Sequence, residues 1–205
     1  MILFFDTETT GLIPGRIIQL SYLMWDGGEE VRSKNFFFGV DYIEPSATAV
    51  HGFTVEKLSV LSGGETFSCR EDEIFADFAS ADLIVGHNVK FDIGFLIAEF
   101  RYSDRVFRYR EEFDTMKYFT PIMKMERSSH KGYKYPKLTE MCDFLEIYPY
   151  DVTKACARFF GETAVGAHDA RFDTAALFLS FLEGAKKFEN LRETASKHLQ
   201  NAAAV

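Results

Sequence analysis

The feature that most restricts the fold is a pair of strand-like runs joined by almost nothing. Residues 16–25 (Arg16-Ile17-Ile18-Gln19-Leu20-Ser21-Tyr22-Leu23-Met24-Trp25) read as one strand, Asp26-Gly27-Gly28 as a tight turn, and residues 30–40 as the next strand. A link that short forces the two to be antiparallel neighbours. Ahead of them a short apolar run over 2–6 leads to a turn at Thr9-Thr10-Gly11. Beyond them the pattern changes. Asp82-Leu83-Ile84-Val85-Gly86 is a short buried strand, and a second strand-to-helix turn falls at Phe113-Asp114-Thr115, where Asp114 or Thr115 can cap a helix.

Helical spacing of apolar residues predicts a helix over 70–80 (Ile74, Phe75, Phe78) and another after Gly86 (Phe91, Phe95, Leu96, Phe100). A third opens at Pro136 (Leu138, Met141, Cys142, Leu145), and a fourth runs from about Ala170 to Leu182. Thr54 is placed to cap a short helix containing Lys57 and Leu58. Three antiparallel strands followed by strand–helix alternation predict an α/β domain with a mixed sheet flanked by helices. That domain is expected over 1–185. Residues 186–205 read as a polar, helix-compatible tail without a clear apolar face.

The chain of 205 residues carries 22 Phe, ample bulky material for one core. No apolar run approaches the ~20 residues needed to cross a bilayer, and Met1-Ile2-Leu3-Phe4-Phe5-Asp6 lacks the marks of a signal peptide. The expectation is a cytoplasmic protein with no membrane partner. Cys69, Cys142 and Cys156 are too few and too scattered for a disulfide framework or a zinc site, and read as reduced structural residues. Net charge is −8, which argues against a polyanionic partner, but residues 101–137 hold ten Lys or Arg against five acids. A basic patch on an acidic body can hold a nucleic acid locally.

Three constellations carry chemistry. Asp6 and Glu8 are two apart on a strand, so they share a face at its exit. Paired carboxylates there are costly unless a cation meets them, and hard divalent ions prefer oxygen. Gly86-His87-Asn88-Val89-Lys90-Phe91-Asp92 runs from a buried strand into a helix start, and strand C-terminal ends are where α/β sites gather. His168 and Asp173 are five apart, which would splay them by roughly 140° in a regular helix of ~3.6 residues per turn. They converge only if His168 precedes the first regular turn, a bend that Gly166 permits.

Together the three blocks resemble the exonuclease motifs of the DEDD superfamily. The match is to its histidine-bearing branch, the group of the bacterial polymerase III proofreading (epsilon) exonuclease. The blocks are Phe5-Asp6-Thr7-Glu8-Thr9-Thr10-Gly11-Leu12, Gly86 to Asp92, and His168-Asp169-Ala170-Arg171-Phe172-Asp173. His51-Gly52-Phe53-Thr54, Asp114-Thr115 and Pro136-Lys137-Leu138 agree, and the likeness spans about residues 1–182.

The resemblance implies an RNase H-like fold and 3′–5′ exonuclease activity on DNA more than RNA. It implies two divalent cations, Mg²⁺ or Mn²⁺, held by Asp6, Glu8, Asp92 and Asp173, with His168 as the base. It further implies contacts to the terminal nucleotide around Thr7, Thr9, Leu12, His51, Asn88 and Phe95. A DNA polymerase catalytic subunit is the protein partner that it suggests. The tyrosine-bearing branch would put Tyr at position 169, which here is Asp169. The loop Lys124–Lys137, with Tyr133 and Tyr135 among its basic residues, could track a single strand by charge and stacking. A competing motif is the Asp-x-Asp-x-Thr start of haloacid-dehalogenase-type phosphatases, which Asp6 to Thr10 imitates. That chemistry would make Asp6 a nucleophile and leaves Gly86–Asp92 without a role. A non-catalytic module would have no reason to keep stacked negative charge.

Overall fold

A computed structural model describes residues 1–127 and 132–199. Five strands form one sheet: β1 (Ile2–Thr9), β2 (Ile17–Trp25), β3 (Val31–Phe37), β4 (Leu83–Gly86) and β5 (Glu111–Asp114), in the order β3-β2-β1-β4-β5. β1 pairs antiparallel with β2 and β2 with β3, whereas β4 lies parallel to β1 and β5 parallel to β4. This is the mixed RNase H-like sheet that the sequence predicted.

Alternation along β1 separates two cores. Ile2 and Phe4 pack beneath α8 (Ala170–Lys187), with Phe178 and Phe181 edge-on to Phe4 at 5.1 Å. Leu3 and Phe5 face α3 (Glu71–Ser80) and α4 (Val89–Tyr102) through Phe78, Phe95 and Leu96. Burial of this aromatic set is the main favourable term in the fold. β1 is therefore sandwiched at the centre, and its last residues emerge where the layers part.

Other helices arrive largely as the pattern predicts. Thr54 caps α2 (Val55–Leu61) by accepting from the Lys57 amide, and Asp114 caps α5 (Thr115–Met123) in the same way. The helix expected at Pro136 begins at Leu138, as α6 (Leu138–Phe144). Two helices went unread. α1 (Pro45–His51) buries no side chain, so it has no apolar stripe to detect. α7 (Pro149–Phe160) buries Val152, Ala155 and Cys156 at helical spacing and packs on α8.

The polar tail also differs from expectation. α9 (Glu189–Leu199) buries Leu191 and Ala195 against α8, and the Met1 ammonium donates to the His198 carbonyl at 3.0 Å. Its apolar face is only a few small or isolated side chains wide, which hides it in so polar a segment. No helix among the described residues is long and apolar enough to cross a membrane. Cys142 and Cys156 are buried, but Cys69 is exposed and has no packing role.

In the 124–137 loop, Glu126 and Tyr133 form an antiparallel bridge and the Lys134 amide donates to the Met125 carbonyl. Lys131, part of the basic loop reading, lies outside the described residues.

Candidate active site

The site forms because β1 outruns its neighbour. Parallel pairing with β4 is recorded only for Ile2 to Phe4, so Thr7 has no strand partner on that side. Asp92, in the first turns of α4, takes the vacant place. Its Oδ1 accepts from the Thr7 amide at 3.2 Å and from Thr7 Oγ1 at 2.6 Å. Asp92 thereby satisfies a strand edge, favours the positive end of α4, and is fixed beside Asp6 and Glu8.

The turn that delivers it is tight. Asn88 adopts φ +68°, and a Cβ on Gly86 would lie 2.8 Å from Val89 Cγ2. His87 tacks the turn to its surroundings through Thr115 Oγ1 at 3.0 Å and the Pro136 carbonyl at 2.9 Å. Two of the smaller sequence signatures thus meet at one imidazole of the second main block.

Asp6 and Glu8 lie on the α8 side of β1, with Asp173 in the first turn of α8 above them. His168 precedes the helix, as its spacing from Asp173 required. The bend is made by His168 itself at φ +65°, not by Gly166. His168 then donates its amide to Asp173 Oδ2 at 3.0 Å, and Asp169 caps the helix. A Glu8 carboxylate oxygen, a His168 ring nitrogen and an Asp173 carboxylate oxygen lie within 4.8 Å of one another.

Electrostatics mark this group out. Burial first, then repulsion from Asp173, Asp92 and Glu8, pushes the Asp6 carboxyl well above the usual range. Burial first, then repulsion from Asp173, Asp169 and Asp92, pushes Glu8 to about 8. Burial raises Asp92 to about 7 against the hydrogen bonds from Thr7, and raises Asp173 to about 7 against the His168 amide. Among the described residues no Lys or Arg pairs with any of the four. An oxygen donor set with unmet negative charge fits a hard divalent cation.

Beside the acids opens a cleft of about 320 Å³ lined by Thr7, Glu8, Thr9, Gly11, Leu12, Ser46, Ala47, Val50, His51 and Phe91. Leu12, a candidate that could equally have been core, is 81% exposed there. His51 accepts from the Phe53 amide through Nδ1 at 3.0 Å, so Nε2 carries the hydrogen that faces the Thr9 carbonyl at 3.3 Å. Burial first, and the nearby His168, hold His51 below the usual imidazole range. Asn88 is exposed at the head of α4 and is not part of this lining. Phe95 is a correction of the same kind. It is fully buried against the sheet, and Phe91, one turn earlier with its ring 5.0 Å away, forms the wall instead.

The family model described as exonuclease (RNase T type) matches residues 3–181. The chain belongs to this exonuclease family. A PolC-type DNA polymerase III from Latilactobacillus sakei is 29% identical over 141 residues, 66% of this chain but 9% of that polymerase. The chain thus spans a small fraction of the length of the curated relative it matches.

Among solved structures, Exonuclease X bound to 5′-overhanging duplex DNA aligns with TM-score 0.56 and 21% identity. It covers 87% of this chain and 89% of that one. Escherichia coli Exonuclease I with a dA16 oligonucleotide aligns with TM-score 0.69 and 19% identity, over 96% of this chain and 43% of that one. These similarities show that the chain shares the fold of Exonucleases I and X.

Proposed function

We propose that the chain is a divalent-cation-dependent 3′–5′ exonuclease that releases nucleoside 5′-monophosphates from the 3′ end of a strand, DNA in preference to RNA. The observation that carries this reading is the set of buried and half-buried carboxylates, with no Lys or Arg partner among the described residues, at the mouth of a nucleotide-sized cleft. Asp6, Glu8, Asp92 and Asp173 would hold two cations, Mg²⁺ or Mn²⁺. When bound, such a pair supplies an activated water and neutralises charge developing on the phosphodiester.

The chain's own residues do the rest. His168, exposed at the rim and reaching toward Glu8 and Asp173, takes the proton of the attacking water on its ring nitrogen. Leu12 presents an apolar surface to the terminal base, and His51 closes the opposite wall beside the backbone of Thr9. Thr7 works from behind by fixing Asp92. Phe91 would flank the strand from the cleft wall, Asn88 would bear on it only at the edge, and Phe95 would support Phe91 from the core.

Preference for DNA is supported by the oligonucleotides and duplex named with the Exonuclease I and X structures, and by the polymerase relative. That relative also supports a DNA polymerase catalytic subunit as partner; residues 1–185 would form the catalytic domain, with α9 of the following segment packed on its α8. The test uses 5′-labelled single-stranded DNA and matched RNA, with Mg²⁺ or Mn²⁺. The expected result is a ladder shortening from the 3′ end with free 5′-monophosphates, faster on DNA. No release, or shortening from the 5′ end, would overturn the proposal.

A further inference from the structure

Gln19 is a buried polar residue outside every motif. In the middle of β2, it is completely buried within the run Ile17-Ile18-Gln19-Leu20. In register it faces Glu8 on one side and Phe37 on the other, so the three share one face of the sheet. Its amide is fully used. Nε2 donates to Asn35 Oδ1 at 2.9 Å and to Asp169 Oδ1 at 3.0 Å, while Oε1 accepts from the Ala170 amide at 3.1 Å. One side chain therefore ties β2 and β3 to the first residues of α8.

The far end of this row is built to match. Asp169 also accepts from the Arg171 amide, Nε and Nη2 at 3.1, 2.9 and 2.8 Å. Arg171 in turn pairs with Glu162 at 3.0 Å and lies over the Phe37 ring. His168, by contrast, is exposed and sits in a left-handed conformation that a non-glycine residue seldom adopts. Its place is inherited from the backbone on either side.

We propose that Gln19 is a positioning residue: it seats the Asp169–Ala170 start of α8 on the sheet and so sets His168 against Glu8 and Asp173. The inference rests on the exonuclease reading for its kinetic consequence. A leucine of similar volume would fill the space but would leave the Ala170 N–H without its acceptor and take one donor each from Asn35 and Asp169, which keep only Ser21 and Arg171. A displacement of about 1 Å in a reacting group is enough to lower a rate by about 10²-fold.

The test compares three variants with the parental chain. Gln19→Leu removes all three hydrogen bonds. Gln19→Glu keeps the acceptor for Ala170 but loses the donor. Gln19→Glu combined with Asp169→Asn restores a hydrogen bond with donor and acceptor exchanged. Both single variants are expected to lower kcat about 10- to 100-fold, with KM nearly unchanged. Amide hydrogen exchange should accelerate over 168–173 while the sheet stays protected, and the double variant should recover most of kcat.

Parental kcat in both single variants would overturn the proposal. So would lost activity with unchanged exchange at 168–173, or exchange raised across the whole chain with no recovery in the double variant. A parental chain that releases no nucleotide would sink the exonuclease reading. The exchange comparison would still decide whether Gln19 seats α8.

Discussion

Two sets of buried acids in this fold are treated in opposite ways. Glu99 accepts from the Ile17 amide at 2.7 Å and from Arg16 Nε at 3.1 Å, and Asp169 is clasped by Arg171 and Gln19. Burial opposes ionisation of both: it still leaves the Glu99 carboxyl above the usual range against Ile17 and Arg16, whereas the hydrogen bonds to Asp169 hold its carboxyl below. Asp92 shares α4 with Glu99, and Asp173 lies one turn after Asp169; with Asp6 and Glu8 on β1 they pair with no Lys or Arg among the described residues. Their carboxyls are pushed up. The same chain can pair a buried acid when pairing is what the fold needs. Leaving four together marks the place where an external cation belongs.

The basic stretch teaches the converse. Arg105 pairs with Asp72, Arg110 with Asp82, Lys117 with Asp114 and Lys134 with Glu140. Four of its cations are thus held by acids of the chain, so the count of ten overstates what is free to meet a polyanion. Arg101, Arg108 and Lys124 pair with no acid among the described residues and remain the better candidates for a phosphate backbone.

The sharpest way to break the contrast is to remove an unmet acid. Asp6→Ala and Asp173→Ala should each lower turnover at least about 10³-fold, the scale of losing several kcal/mol of charge stabilisation. Thermal unfolding in chelator should show no loss of stability, since repulsion is relieved. His168→Ala should lower kcat by about 10²- to 10⁴-fold without weakening Mn²⁺ binding to the same degree. Steady-state kinetics together with a binding titration separate the two.

Removing a cation from a met acid should do the reverse. Arg171→Met strands Asp169 and should destabilise the fold by about 3 kcal/mol, read by denaturant unfolding. Smallest of all, Arg105→Ala or Arg110→Ala should change DNA affinity by no more than about twofold, because each already has an acid partner. A steep loss there, with a reduced salt slope, would restore the whole stretch as a binding surface.

How much of this could be read from residues alone follows from how local each cause is. Asp6 with Glu8 needed only strand alternation, and the five-residue gap between His168 and Asp173 announced a break before α8. The three-strand start was written in Asp26-Gly27-Gly28. What escaped depends on partners distant in sequence. Phe91 and Phe95 sit one turn apart on the same helix face, and only the docking of α4 decides which walls the cleft and which enters the core. The ion pairs that neutralise Arg105 and Arg110 use acids about 30 residues upstream. Gln19 gave one faint signal, an amide inside an apolar strand, and its partners lie 16 and 150 residues away.

The central claim is that the four unmet acids form a cation site, and pH makes it testable without substrate. Glu8 titrates at about 8, and Asp92 and Asp173 at about 7, against ordinary carboxylate values of roughly 4 in the unfolded chain. The native state therefore holds extra protons between these limits. Their contribution to stability is complete below about pH 4 and is lost as pH rises through about 7 to 8.

The decisive measurement is the unfolding temperature of the chelator-treated protein from pH 5 to 8.5, with and without Mn²⁺. The account predicts a fall across that range without metal. Added Mn²⁺ should reverse it at high pH, worth about 2.7 kcal/mol at a hundred times its Kd. Asp6→Asn/Asp173→Asn should abolish the reversal. A profile that rises with pH in chelator, or a Tm at pH 8.5 indifferent to Mn²⁺, would contradict it.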